Sequence, residues 1–301
     1  MNILFTGAFE PSAEEKALIE QAGHKVFFHR DERVMPESPS LYQAAVCNNL
    51  FLFNSIEPFV NLRRVQLTSA GLDRIPAGQI RKRGIELFSA CGVYSKPMAE
   101  FAVSAVLDFY KQSRFFAENQ KRRKWEKHRT LTELFQKKVC ILGCGDVGKE
   151  TAKLFKAFGC HITGVNRTER TLENFDEILP LEKLSSAASD CDILISCIAL
   201  TEQTQKLINK SVFDALKSNA VFVNISRGAV ADEFALVEWL LHGGRAALDV
   251  FENEPLDEDS PLWCMKNVIL TPHNSFIGEN NHRRMFDLIV KNLECVGNGK
   301  L

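Results

Sequence analysis

The chain has 301 residues, 45% of them hydrophobic, with 37 Lys and Arg against 38 Asp and Glu and a formal net charge of −1. This composition excludes a disordered protein and a collagen-like fibre. The neutral balance gives no electrostatic case for binding nucleic acid or an anionic membrane surface. The length suits two domains, each able to bury its own core.

No apolar run reaches the roughly 20 residues that span a bilayer. The start, Met1-Asn2-Ile3-Leu4-Phe5-Thr6-Gly7, lacks the basic n-region of a secretory signal. Nine scattered cysteines without a CxxC pair point to reduced thiols and a cytoplasmic protein. No His or Cys cluster completes a site around Cys140 and Cys144, so no metal is expected.

Along the chain, Ile3–Thr6 reads as a strand. Ser12-Ala13-Glu14-Glu15 has the spacing of a capping box and starts a helix running toward Gly23. Further strands are expected at Lys25–His29, Asn49–Phe53, Arg64–Thr68 and Ile85–Phe88. From Pro97, the residues Met98, Phe101, Ala102, Ala105, Val106, Phe109 and Tyr110 repeat at helical spacing, with Pro97 in the first turn. The basic run Lys121–Arg129 reads as a solvated linker. A second alternation places strands at Val139–Leu142, His161–Val165, Asp192–Cys197, Val221–Ile225, Ala246–Val250 and Val268–Leu270. An amphipathic helix from about Glu279 to Val296 closes at Gly297. Strand alternating with helix implies parallel sheets, the α/β class.

Gly143-Cys144-Gly145-Asp146-Val147-Gly148 follows a strand and opens the helical stretch Lys149–Phe158. That is the context in which G-x-G-x-x-G binds a dinucleotide. The first Gly makes the tight turn, the second lets backbone approach a pyrophosphate, and the third lets helix and strand pack closely. Free N–H groups and the positive end of the helix dipole then face the phosphates. Gly143, Gly145, Asp146, Val147 and Gly148 are therefore cofactor-binding candidates. An acidic residue for the ribose hydroxyls is expected about 20 residues on. The next strand ends instead at Asn166, followed by Arg167, Thr168 and Arg170. An amide, a hydroxyl and guanidinium groups accept a 2′-phosphate that a carboxylate would repel.

Three later strands end in Ser226-Arg227-Gly228, in Phe251-Glu252-Asn253-Glu254-Pro255 and in Thr271-Pro272-His273-Asn274. In an open α/β sheet, ligands bind beyond the carboxyl ends of the strands. Arg227 suits the grip of a 2-oxo acid carboxylate and the polarising of its carbonyl. His273 suits proton delivery to the carbonyl oxygen. Glu254 suits the orienting of the imidazole and, as an anion, the stabilising of its protonated form.

At these residues the chain resembles the D-isomer-specific 2-hydroxyacid dehydrogenase family. The resemblance also runs through Thr68-Ser69-Ala70-Gly71-Leu72-Asp73, Leu200-Thr201-Glu202-Gln203-Thr204 and Ala247–Pro255, and so covers nearly the whole chain. It implies two Rossmann-like or flavodoxin-like parallel-sheet domains with an active-site cleft between them. Residues 1–97 plus 274–301 would form a discontinuous substrate domain, and 98–273 the dinucleotide-binding domain. The resemblance further implies that Ser69, Ala70 and Gly71 meet the substrate carboxylate, that Asp249 lies by the nicotinamide carboxamide, and that the protein is a homodimer.

Three departures from the family pattern matter. Asn166 replaces an acidic residue, which resembles NADPH-using glyoxylate and hydroxypyruvate reductases. Ala199 stands where many members have Pro. Asn274-Ser275-Phe276 follows His273 in an unusual run that reshapes the pocket if Phe276 enters it. The expected function is reduction of a small 2-oxo acid to the D-2-hydroxy acid, with NADP(H) preferred and NAD(H) second. Glyoxylate, hydroxypyruvate or similar acids are the expected substrates. The segment Asn54-Ser55-Ile56 lacks the Arg that phosphate-using members tend to carry nearby. The alternatives are a dinucleotide-sensing regulatory protein on the same scaffold and a phosphoglycerate dehydrogenase. Formate dehydrogenase chemistry is disfavoured, because such members carry Gln at the position of Glu254.

Overall fold

The protein is described here by a computed structural model of residues 1–72 and 75–294. The chain splits into two compact units. One comprises Met1–Tyr94 with the described part of Gly278–Leu301, the other Ser95–Ile277. The chain therefore passes from one unit to the other three residues before the expected boundary at 97, and returns four residues after that at 274.

In the first unit, β1 (Asn2–Thr6) leads to α1 (Ala13–Gln21). Ser12 and Glu15 form the expected capping box, each side chain accepting from the other's backbone N–H. Gly23, at φ +86°, turns the chain into β2 (Lys25–His29). Then follow β3 (Ala44–Cys47), α2 (Leu50–Phe53), β4 (Arg64–Leu67), α3 (Ala77–Lys82) and β5 (Glu86–Phe88). The strand expected at Asn49–Phe53 is thus a single helical turn, and the strand lies five residues earlier. All four β3 side chains are buried, whereas only Leu50 and Phe51 of α2 are. A short apolar run without alternation suits a strand or a helical turn equally, and burial on one side decides it. The sheet is parallel, in the order β2-β1-β3-β4-β5.

The second unit opens with α4 (Ser95–Tyr110), whose first turn holds Pro97. Ala102, Val106 and Phe109 pack with Ile141, Ile195 and Val223, so burial in a core accounts for this helix's apolar face. Next come α5 (Ser113–Lys121), β6 (Lys138–Leu142), α6 (Asp146–Ala157), β7 (His161–Val165) and β8 (Glu177–Leu179). They are followed by α7 (Leu184–Asp190), β9 (Ile193–Ser196), α8 (Lys210–Ala215), β10 (Val221–Asn224), α9 (Glu233–Leu241), β11 (Arg245–Leu248) and β12 (Val268–Leu270). The helix α6 starts at Asp146, three residues before the expected Lys149. All strands are parallel, in the order β12-β11-β10-β9-β6-β7-β8. The order reverses between β6 and β9, the point where doubly wound sheets take up ligands.

The first unit resumes with α10 (Asn281–Leu293). Its Met285, Ile289 and Leu293 pack with Ile3, Phe5 and Val46. The expected run of this helix to Val296 and its close at Gly297 lie outside the described residues, as do Asp73 and Arg74.

Candidate active site

The glycine turn sits at the reversal point. Gly143 has φ +95°, and a Cβ there would come within 2.7 Å of the Ile198 backbone. On Gly148 a Cβ would meet the Gly143 carbonyl oxygen at 2.1 Å, so α6 is pressed directly on the turn. Gly145 caps α6 with no side-chain hydrogen bond, and nothing lies within 4 Å of where its Cβ would be. The first N–H groups of α6, from Asp146 and Val147, are therefore approachable by a large group. That fits a pyrophosphate, the part of a dinucleotide such a turn holds. Cys144 points away, into the core. Its Sγ would lie 2.6 Å from a Cβ on Gly164, and burial pushes the thiol up to about 12.

Asn166 directly follows β7 and is half-buried. Its N–H donates to the Leu179 carbonyl at 2.9 Å, so the short strand β8, absent from the sequence reading, fixes it. Its Nδ2 donates to the Thr168 carbonyl at 3.2 Å. Arg167, Thr168 and Arg170 are exposed beside it.

The ends of β10, β11 and β12 form one connected structure. Asn224 Oδ1 accepts from the Ser226 N–H and hydroxyl at 3.2 and 2.9 Å, and its Nδ2 donates to the Arg227 carbonyl at 3.1 Å. Arg227 Nη1 donates to the Ser226 carbonyl at 2.8 Å. A Cβ on Gly228 would fall 1.8 Å from the Phe251 carbonyl carbon, so only glycine lets the Arg227 loop lie on the loop after β11. In that second loop, Glu254 Oε1 accepts from the Phe251 N–H at 3.1 Å, and Oε2 lies 2.7 Å from His273 Nδ1. With its Nδ1 edge turned to Glu254, the ring has Nε2 as its opposite tip. His273 has φ +51°, and its N–H donates to the Asp249 carbonyl at 2.8 Å. Phe276 stands edge-on to its ring at 6.1 Å between centroids.

Asp249 is fully buried. Its carboxylate accepts from the Thr271 hydroxyl at 2.6 Å and from the N–H groups of Asn274 and Ser275 at 2.7 and 3.0 Å. The carboxylate expected beside the nicotinamide is seen to organise the loop that carries His273, a task that no sequence signal announced.

Ser69, Ala70 and Gly71 belong to the other unit. Ser69 Oγ donates to the Gly71 carbonyl at 3.0 Å, and the Ser69 carbonyl accepts from the Ala90 N–H at 2.9 Å. Tyr94 donates its hydroxyl to the Thr68 carbonyl. A further feature of this unit was not legible in the sequence. Glu32 bridges the ends of β1 and β3, its carboxylate accepting from the Thr6 hydroxyl and from the N–H groups of Asn48 and Asn49, each at 2.7 Å. Asn54, expected at the end of a strand, donates Nδ2 to the Glu32 carbonyl at 2.7 Å.

Among the described residues, no group of three or more His, Cys, Asp or Glu is placed to hold a metal ion. No helix among them is long and apolar enough to cross a membrane.

Residues 103–275 match the family described as D-isomer specific 2-hydroxyacid dehydrogenase, NAD binding domain. Glyoxylate/hydroxypyruvate reductase A of Arabidopsis thaliana is 32% identical over 252 residues, which are 81% of this chain and 78% of that one. The chain belongs to the D-isomer specific 2-hydroxyacid dehydrogenase family. It is an NAD(P)-dependent oxidoreductase that transfers hydride between the dinucleotide and a small 2-oxo or 2-hydroxy acid. The mouse glyoxylate reductase/hydroxypyruvate reductase is 34% identical over 223 residues, covering 71% of this chain and 67% of its own. Among solved structures, a D-isomer specific 2-hydroxyacid dehydrogenase from Xanthobacter autotrophicus Py2, in complex with NADPH and MES, superposes with a TM-score of 0.82. It is 29% identical, with 97% of this chain and 93% of that chain covered.

Proposed function

We propose that this enzyme reduces an unphosphorylated 2-oxo acid, such as glyoxylate or hydroxypyruvate, to the D-2-hydroxy acid, with NADPH preferred over NADH. The reading is carried by the contact of 2.7 Å between Glu254 and His273, on strand ends next to that of Arg227. A purely regulatory dinucleotide sensor has no need of a carboxylate-held imidazole.

Gly143, Gly145, Asp146, Val147 and Gly148 would hold the pyrophosphate through backbone, and Asn166, Arg167 and Thr168 the adenosine ribose and its 2′-phosphate. Bound there, the dinucleotide supplies or accepts the hydride. Arg227 binds the substrate carboxylate through its fork of N–H donors and draws electron density from the carbonyl. Ser69, Ala70 and Gly71 are assigned to substrate binding by the family resemblance alone. His273, protonated, donates the Nε2 proton to the carbonyl oxygen as C2 is reduced, and ends neutral. In the opposite direction Nε2 takes the hydroxyl proton. Glu254 keeps the ring in place throughout and stabilises the imidazolium.

The NADPH preference is supported by the amide of Asn166 and by the exposed guanidinium groups of Arg167 and Arg170. The reductase names of the relatives, and the NADPH held by the Xanthobacter protein, support it from outside the chain. Asn48 and Asn49 follow β3, and no arginine stands there to neutralise a phosphorylated substrate. Desolvating a dianion without a fixed cation is costly. The eight cysteines among the described residues are all free of disulfides, which supports the cytoplasm as the compartment. Homodimeric assembly rests on the family resemblance.

The test is kcat/KM for glyoxylate, hydroxypyruvate and phosphohydroxypyruvate with NADPH and with NADH, at fixed ionic strength. The reading requires an unphosphorylated acid and NADPH to lead. A lead for phosphohydroxypyruvate or for NADH refutes the corresponding half.

A further inference from the structure

We infer that Glu32 is a fixed anion of the first unit that restricts the enzyme to 2-oxo acids carrying a single negative charge. The inference deepens the proposed reduction of an unphosphorylated acid and rests on that reading. It extends the exclusion from phosphorylated substrates to 2-oxo dicarboxylates.

The place of Glu32 in the sheet carries the argument. In the first unit the strand order β2-β1-β3-β4-β5 reverses between β1 and β3. Doubly wound sheets of this order take their ligand at that reversal, beyond the carboxyl ends of the strands. Backbone N–H groups gathered at such a point suit an anionic group of the ligand. Here they receive the protein's own anion. Glu32 Oε1 accepts from the Thr6 hydroxyl, at the end of β1, and from the Asn48 N–H, just beyond β3, both at 2.7 Å. Its Oε2 accepts from the Asn49 N–H at 2.7 Å.

The charge is held but not cancelled. Each of these partners is neutral, and Glu32 enters no ion pair among the described residues. The neighbouring cation Arg33 is engaged by Asp31 at 2.9 Å. Asn48 Oδ1 and Asn49 Oδ1 are buried without a donor, which adds two partial negative charges. The Cys47 thiol, at the end of β3, is pushed up by burial and then by the charge of Glu32. The negative field therefore reaches β3, one strand from the loop that follows β4. There the Thr68 N–H donates to the Cys47 carbonyl at 2.9 Å. Ser69, Ala70 and Gly71, assigned to the substrate by the family resemblance, come directly after Thr68. Neighbouring strands lie about 5 Å apart. A substrate held at that loop thus brings a second acidic group within one or two such spacings of Glu32. Like charges at that range repel strongly inside a protein. A neutral end, such as the hydroxyl of hydroxypyruvate, meets no such penalty.

The test crosses the charge of the substrate with that of the enzyme. Oxaloacetate and its amide, 2-oxosuccinamate, have nearly the same shape and differ by one charge, as wild type and Glu32→Gln do. The readout is the ratio of kcat/KM for the amide to that for the diacid, with NADPH and with hydroxypyruvate run beside them. The wild type is expected to favour the amide by at least about tenfold. That ratio is expected to fall at least about twofold between about 50 and about 500 mM salt, a measurement that needs no variant. Glu32→Gln is expected to bring the ratio down by at least about fivefold, whatever its effect on turnover as a whole. Thr6→Val removes one hydrogen bond from the carboxylate but keeps its charge, and is expected to keep the wild-type ratio. A wild-type ratio near one or independent of salt overturns the role of Glu32. So does a ratio unmoved by Glu32→Gln, or moved equally by Thr6→Val. Each of these leaves the reduction of hydroxypyruvate standing. Failure of the amide together with the diacid also overturns the inference, since bulk and not charge then sets the limit. A wild type that reduces neither glyoxylate nor hydroxypyruvate overturns the proposed function with it.

Discussion

Glu254 holds His273 with one carboxylate oxygen, at 2.7 Å from Nδ1, while its other oxygen takes the Phe251 N–H at 3.1 Å. The imidazole is thus tied at the side chain by Glu254 and at the backbone by the Asp249 carbonyl. Two restraints from one loop region leave the ring little freedom, and Nε2 keeps a fixed direction. Such preorganisation raises the fraction of encounters that are productive.

The acid and its holder should be separable by mutation. His273→Ala is expected to lower kcat by about 10²–10⁴-fold while NADPH binding by fluorescence titration stays near that of the wild type. Glu254→Gln is expected to keep cofactor affinity and to lower kcat by less than His273→Ala does. A His273→Ala enzyme with near-normal turnover would assign the proton to another group.

Asp249 offers a second test. Asp249→Ala leaves the Asn274 and Ser275 N–H groups and the Thr271 hydroxyl without their acceptor, a loss of about 2–4 kcal/mol in a buried site. The expected result is a lower denaturation midpoint together with a lower kcat, because the His273 loop loses its anchor. If only the cofactor dissociation constant changes, the carboxylate serves the dinucleotide and not the loop.

Cofactor choice should turn on the end of β7. Asn166→Asp places a carboxylate where the 2′-phosphate would sit. It is expected to lower kcat/KM for NADPH by roughly tenfold to a hundredfold, the worth of one charge-assisted contact, with little loss for NADH. Equal effects on both cofactors would point to damage to the β7–β8 edge, which the Asn166 N–H helps to join.

The edge has its own acid sensitivity. Burial alone would raise the Asp176 carboxyl. The Ile162 N–H at 2.7 Å, Lys156 at 2.5 Å and His161 at 2.8 Å outweigh it and bring it down to about 2. A carboxylate held below its unfolded value stabilises the fold above that value and loses this effect as pH falls through about 2. Asp176→Asn is therefore expected to cost about 1–2 kcal/mol at neutral pH, discounted for partial exposure. The gap to wild type should narrow steadily below about pH 4. Urea denaturation at neutral and acid pH measures both.

The strands Lys25–His29, His161–Val165 and Val268–Leu270 were legible to the residue, because β-branched and aromatic runs bounded by turn signals leave one reading. The glycine turn and the Arg227, Glu254 and His273 strand ends were legible for a related reason, since local order places each after its own strand. What escaped depends on distant partners. Leu50–Phe53 carries no alternation, and its fate depends on which side meets the core. The three-residue β8 exists only by pairing with β7. The Glu32 bridge, the Gly228 contact with Phe251 and the Asp249 bonds each join segments that nothing local in the sequence connects.

Cys144 occupies a variable position inside the dinucleotide turn, where an accessible thiol would be open to every alkylating agent and peroxide that reaches the site. Its sulfur is instead turned inward against the bare backbone of Gly164, and its burial keeps it protonated. The thiolate that such reagents attack is scarcely formed there. Among the described cysteines, Cys91 and Cys264, both exposed, would be modified first. The dinucleotide turn is therefore chemically silent, and oxidative stress or maleimide labelling would mark the surface of the enzyme while leaving its cofactor turn intact.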